Sequence, residues 1–186
     1  MRSAAETEVS LVLTAAEMFG RDGYATTSLD DVARAAGLSR GAVYHHFGTK
    51  AALFKVALIH QERRLAERFV AASSVRAGWD AVRAGCAIIL DGYLDPAMRR
   101  ILLIDGPAVL GWQEVRSIED GFVGELLRRG LQRAGEEQDV EARLSVLRGA
   151  LAEAGLLLTR DEDALPALTR EIELLISTYE RNPAAA

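Results

Sequence analysis

The side chains suited to meeting a polyanion are gathered in one stretch of the chain. Thirty consecutive residues, Val32 to Gln61, contain no Asp or Glu, although the chain has 27 acids in 186 positions and a formal charge of -5. For a given window such a gap has a chance probability on the order of one in a hundred, so it marks a face that meets something negative. The same stretch holds Arg34, Arg40, Lys50, Lys55, His45, His46 and His60. Small residues at Gly41 and Ala42 let a backbone approach a bulky partner, and Tyr44 with the His pair can reach phosphates or bases. Lys50 can neutralise a phosphate beside a helix N-terminus, itself an anion site. Together these residues point to nucleic acid.

Helices must position them. Apolar residues Val12, Leu13, Ala16 and Phe19 follow one helix face, and Asp22-Gly23 stops that helix. Thr27 and Ser28 can each cap a second helix, with Asp30 or Asp31 completing a box that satisfies free N-H groups. Its inward face is Leu29, Val32, Ala33 and Ala36. Gly37 then supplies a left-handed C-terminus, Leu38 plugs into the core beside Val43 and Phe47, and Ser39 caps a short third helix from Arg40 to about His46. Gly48-Thr49 breaks and recaps the chain before a long helix from about 49 to 73, with Phe54, Leu58, Leu65, Phe69 and Ala72 facing inward. Further helices are expected over 78–94, 96–103, 112–134, 140–158 and 164–181, with breaks at Asp95-Pro96, Asp105-Gly106-Pro107, Gly135 and Asp161-Glu162-Asp163. The fold class is therefore all-α. Residues 1–50 carry 5 bases against 6 acids and the remainder 17 against 21, so basic character belongs to a face and not to a domain.

Two helices joined by a Gly-containing turn, the second capped by Ser, make a helix-turn-helix, which offers the start of its second helix to base edges in the major groove. The stretch GYATTSLDDVARAAGLSRGAVYHHFGTKAALF, Gly23 to Phe54, resembles the TetR family of bacterial transcriptional regulators. ILLIDGPAVLGW, Ile101 to Trp112, and the GAL-x-EA segment at Gly149 to Ala154 also resemble C-terminal domains of some members. Ala51-Ala52 depart from the pattern, because members usually carry an acid after the Lys. The resemblance implies an N-terminal three-helix DNA-binding domain at 1–50 and a C-terminal helical ligand-binding and dimerisation domain at 51–186, linked by the long fourth helix. It assigns backbone contacts to Thr27, Ser28, Tyr44 and Lys50, and base or near-base contacts to Ser39, Arg40, Gly41, Ala42, His45 and His46. It further implies a homodimer built by the last two helices and release from a palindromic operator by a small-molecule effector, which makes the protein a repressor; an activator of the same family is the alternative.

Plainer readings stand beside these. His45 and His46 point about 100 degrees apart on a helix and have no Cys or acid at ligand spacing, so no metal site is expected. Trp79, Cys86, Ile89, Tyr93, Trp112, Val115 and Phe122 either line a ligand pocket or fill the core, since both use the same residue types. With Glu119 as counter-charge, such a pocket suits an apolar ligand that is neutral or cationic. Leu144, Leu147, Leu151 and Ala154, with Leu168, Ile172, Leu175 and Tyr179, form two stripes that fit either internal packing or a four-helix dimer seam. No Gly-rich phosphate loop, G-x-S-x-G elbow, H-E-x-x-H or Cys-His pairing is present, so neither enzyme nor cofactor is expected. A helical adaptor that meets an acidic protein is the rival class. One cysteine, no signal-like leader and no long apolar run suggest a cytoplasmic protein.

Overall fold

The structure, a computed structural model, describes residues 4–135 and 139–181, and every regular element among them is helical. In order these are α1 (Ala4–Asp22), α2 (Leu29–Ala35), α3 (Arg40–Phe47), α4 (Lys50–Ser73), α5 (Gly78–Gly92) and α6 (Pro96–Arg99). A π-helical turn (Arg100–Asp105), α7 (Gly106–Leu110), α8 (Trp112–Asp120), α9 (Val123–Arg133), α10 (Val140–Leu157), a 3-10 turn (Glu162–Ala164) and α11 (Leu165–Arg181) follow. None is long and apolar enough to cross a membrane.

Two compact units result. The first holds the chain as far as Glu62 together with Pro96–Arg116; the second holds Arg63–Asp95 and the chain from Ser117 on. A segment that the sequence places beyond the first domain thus packs within the first unit. The contact is tight because Gly20 has no side chain: a Cβ there would lie 2.5 Å from the Cβ of Ala97. Arg100 then donates to the carbonyl of Arg21 at 2.7 Å, satisfying an acceptor that the end of α1 leaves open. Asp105 accepts from the backbone N-H of Tyr24 at 2.8 Å.

The buried row of α1 is Leu11, Ala15, Ala16 and Phe19, while Leu13 is 49 % exposed and Val12 half-buried. The expected row shares Ala16 and Phe19 with this one, so periodicity alone does not choose between them. The inward faces of α2 and α4 are as read: Leu29, Val32, Ala33, Ala36, Phe54, Leu58, Leu65 and Phe69 are buried, and Ala72 is half-buried. Asp105-Gly106-Pro107 is not a break. The π-helical turn runs straight into α7: the amide of Gly106 donates to the carbonyl of Ile101, and Pro107 follows in the first turn of α7. The chain turns instead at Gly111, with φ of 82°.

In the second unit α5 packs against α9, α10 and α11 around Val82, Cys86, Ile89, Leu127, Leu131, Leu144 and Leu147. The helix expected over 112–134 is interrupted at Gly121-Phe122, between α8 and α9. A buried cation lies beside the interruption. Arg148 of α10 binds Glu119 at 2.8 Å and Asp120 at 2.6 Å, both at the end of α8, and a Cβ at Gly124 would press within 3.0 Å of the Glu119 carbonyl oxygen and 3.3 Å of the Arg148 guanidinium carbon.

Burial pushes the Cys86 thiol up to about 12. The unfolded thiol ionises near pH 8.5 and the folded one does not follow, so this group's contribution to stability is full below about 8.5 and fades as pH rises toward 12. Cys86 should accordingly resist iodoacetamide at pH 8 in the folded protein and react promptly in denaturant; equal rates would contradict its burial. Gly20→Ala should force α1 from Ala97 and destabilise by roughly 1–3 kcal/mol, read as a lower urea midpoint. An unchanged midpoint would show that the close approach is dispensable.

Candidate nucleic-acid interface

The turn between α2 and α3 is built by side chains that replace missing backbone partners. Ser28 caps α2, accepting from the amide of Asp31 at 3.1 Å while its hydroxyl donates to the Asp31 carboxylate at 2.6 Å. That bond and Arg34 hold the Asp31 carboxyl below the usual carboxylate range. Gly37 takes φ of 68°, which a side chain would resist, and the amide of Leu38 returns to the carbonyl of Ala33 at 2.9 Å. Ser39 caps α3 through the amide of Ala42 at 3.2 Å, and Thr49 caps α4 through that of Ala52 at 3.1 Å. These caps set the direction of α3.

Its underside is anchored by Val43, fully buried, with Leu38 and Phe47 half-buried beside it. Its outer side carries Ser39, Arg40, Gly41, Tyr44 and His45, all exposed; Ala42, His46, Ser28 and Lys50 are half-buried around them. Thr27 stands apart from this group. It is only 3 % exposed, and its hydroxyl donates to the carbonyl of Gly23 at 2.9 Å, so its side chain serves the turn after α1. Ser28, not Thr27, is the cap of α2.

Two residues to which the sequence gives no part in this face prepare it. Asp30 holds Arg40 at 3.1 Å, and the Arg40 guanidinium lies 5.1 Å from the ring centre of Tyr44. The pair is open to water, so it restrains Arg40 weakly and yields to a phosphate or a base. Tyr24 supports Lys50, whose Nζ lies 4.3 Å from its ring centre and donates to the carbonyl of Ala25 at 3.2 Å. Nothing in the local sequence marks either partner, since Asp30 is ten residues from Arg40 and Tyr24 is 26 from Lys50. The rings of His45 and His46 meet edge to face with centres 5.6 Å apart.

The residues read as pocket or core divide between the units. Val115 is buried and Trp112 is 59 % exposed in the first. In the second, Cys86, Ile89 and Tyr93 are buried and Trp79 and Phe122 half-buried. Glu119 is already bound to Arg148, so it offers no free counter-charge to a cationic ligand. Of the two stripes read as packing or seam, Leu144, Leu147, Leu151, Ala154 and Ile172 are buried within the single chain, with Leu168, Leu175 and Tyr179 half-buried. Internal packing uses the first five. The large apolar residues that α10 and α11 leave exposed are Val146, Leu156, Leu157 and Leu174.

With this geometry in hand, the comparisons with known proteins agree. Residues 11–57 match the family model described as bacterial regulatory proteins, tetR family, and residues 79–178 match the tetracyclin repressor-like C-terminal domain. The HTH-type transcriptional regulator SrpR of Pseudomonas putida is 27% identical over 165 residues, covering 83% of this chain and 75% of its own. A solved TetR-family transcriptional regulator from Pectobacterium atrosepticum is 33% identical, with TM-score 0.74 over 94% of this chain and 95% of that one. The transcriptional regulator FadR of Bacillus subtilis shares the fold at 18% identity, with TM-score 0.70 over 91% of this chain and 97% of that one. From the capped helix-turn-helix to the C-terminal helices, the chain belongs to the tetR family of DNA-binding transcriptional regulators.

Proposed function

We propose that this regulator is a homodimeric repressor that leaves a palindromic operator when a small molecule binds its second unit. The observation that carries the DNA half of this reading is the outer side of α3: exposed Arg40, Tyr44 and His45, flanked by Lys50, over a fully buried Val43. In a chain of net charge -5, local contacts must supply the attraction to phosphate. Each protomer sets α3 into a major groove, the two grooves about 34–36 Å apart on one side of the duplex. Ser39 and Arg40, at the head of α3, reach base edges; Lys50 and Tyr44 fix the register on the backbone.

The dimer half rests on what α10 and α11 leave uncovered. Val146, Ala150 and Leu157 share one side of α10, with Gly149 beside them, and Ala167 and Leu174 share one side of α11. Exposed apolar side chains between small residues fit a helix-on-helix seam with a second copy. The ligand half is supported by FadR of the same fold, which was crystallised in complex with stearoyl-CoA. A ligand releases the operator only if it prefers the non-binding state, by about 5.5 kcal/mol for a shift from 99:1 to 1:99.

Binding to an operator selected from random duplexes should fall steeply with salt, and Lys50→Ala should weaken all sequences alike and reduce that slope by about one. Arg40→Ala should cost about 1–3 kcal/mol and relax preference at one base position. Binding that ignores salt, or variants that lose no discrimination, would remove the DNA reading. Leu174→Glu, at a position 57 % exposed in the single chain, should leave the helical content intact and shift light scattering from dimer to monomer. A dimer that survives the substitution would place the seam elsewhere.

A further inference from the structure

Arginines gather at a second place, within the second unit. The end of α4, the start of α5 and one side of α9 enclose a cleft of about 530 Å³ whose lining includes Arg76, Arg129 and Arg133 with Ser73 and Ser74, and no Asp or Glu. In a chain where acids outnumber bases, three guanidinium groups around one acid-free cleft are unusual. Arg129 gives its Nε to Glu125 at 2.6 Å and keeps its other N-H groups, and Arg76 donates to the carbonyl of Ala72. Arg133 has no hydrogen-bond or ion-pair partner among the described residues. Like charges held this close repel, and an anion between them removes the repulsion and gains charge-assisted hydrogen bonds. Helix α5 begins in the same cleft, and its cap residue Ala77 makes no side-chain hydrogen bond, so its first amides add to the positive field.

The cleft does not end there. A second one of about 480 Å³ shares Val70, Leu126 and Arg129 with it and continues between α4 and α9 past Ala66 and Phe122. Val70 is 47 % exposed and Phe122 half-buried, so this stretch presents apolar surface to water. Glu67 and Glu125 also line it, with Arg63; the Glu125 carboxylate is paired with Arg128 and Arg129. A basic end joined to an apolar run is complementary to a molecule with an anionic head and a hydrocarbon tail.

We propose that this groove binds an amphiphilic anion, its carboxylate or phosphate held by Arg76, Arg129 and Arg133 and its chain laid along Val70, Leu126, Ala66 and Phe122. The proposal rests on the ligand-responsive reading above and names the ligand class for it. It reverses the charge expected from the aromatic residues alone, because Arg76, in the turn after α4, joins Arg129 and Arg133 of α9 only in the fold.

The test is calorimetric titration of the full chain with dodecyl phosphate and dodecanoate, each below its micelle concentration, beside dodecyltrimethylammonium and inorganic phosphate. Both anionic amphiphiles should bind, the tighter one identifying the head group, with inorganic phosphate and the cation weaker by about tenfold or more. R129A/R133A should weaken dodecyl phosphate by a similar factor without moving the unfolding midpoint. Phe122→Asp should weaken dodecyl phosphate and leave inorganic phosphate unchanged. A cation that binds as tightly as the anions, or an R129A/R133A variant that binds like the parent, would overturn the proposal. Operator binding by the ligand-free protein is read separately. A protein that takes up the anions and binds no duplex sinks the regulator reading and leaves the groove standing; one that binds operator and neither anion sinks the groove alone.

Discussion

Three aromatic rings hold the DNA-facing unit in shape. Phe19 of α1, Tyr24 of the following turn and Phe54 of α4 meet with ring centres 5.2 to 5.8 Å apart, two of the contacts edge to face. Such pairs add directional preference to the burial of large apolar surface, so they fix angles as well as distances. Tyr24 has three roles at once. Its ring completes the cluster, the same ring supports the Lys50 ammonium, and its amide is bound by Asp105 at the end of the π-helical turn. The cation at the head of α4 and the end of α1 are thereby tied to the segment 96–116, which the same unit contains.

Elements whose ends are written in side chains were legible in the sequence. Ser28, Gly37 and Ser39 act locally, each on an amide or a turn within a few residues, so reading them needs no tertiary information. The π-helical turn and the interruption at Gly121-Phe122 were not. Gly106 looks like a breaker, yet a Cβ there would sit 2.7 Å from the carbonyl oxygen of Ile101, so its glycine serves close packing of a continuing helix. Arg148, which binds Asp120 at the end of α8, is 28 residues further on, and no local pattern reports a partner at that distance.

The same distinction separates the two candidate sites. On α3 the residues proposed to meet DNA are neighbours in sequence, and an acid-free run exposes them to inspection. In the second unit, the residues that sequence pointed to as pocket or core are mostly core: Cys86, Ile89 and Tyr93 are buried, and Glu119 is bound to Arg148. Apolar type does not distinguish a wall from a filling. The stripes of α10 and α11 teach a related lesson. Leu144, Leu147 and Leu151 follow the helical period and pack inward, whereas the exposed faces carry Val146, Leu157 and Leu174 among small and charged residues. Periodicity finds the more hydrophobic stripe, and in this chain that stripe is the core.

The central claim is that the outer side of α3 reads base edges in the major groove. Guanine N7 lies in that groove and is methylated by dimethyl sulfate, so a methylation-protection footprint on a selected operator asks the question directly. The account predicts two clusters of protected guanines, centred about one helical turn apart, and a base or two restored to reactivity in each cluster by Arg40→Ala. Full methylation of every guanine under conditions where the duplex is bound would contradict it, placing the protein on the backbone or in the minor groove.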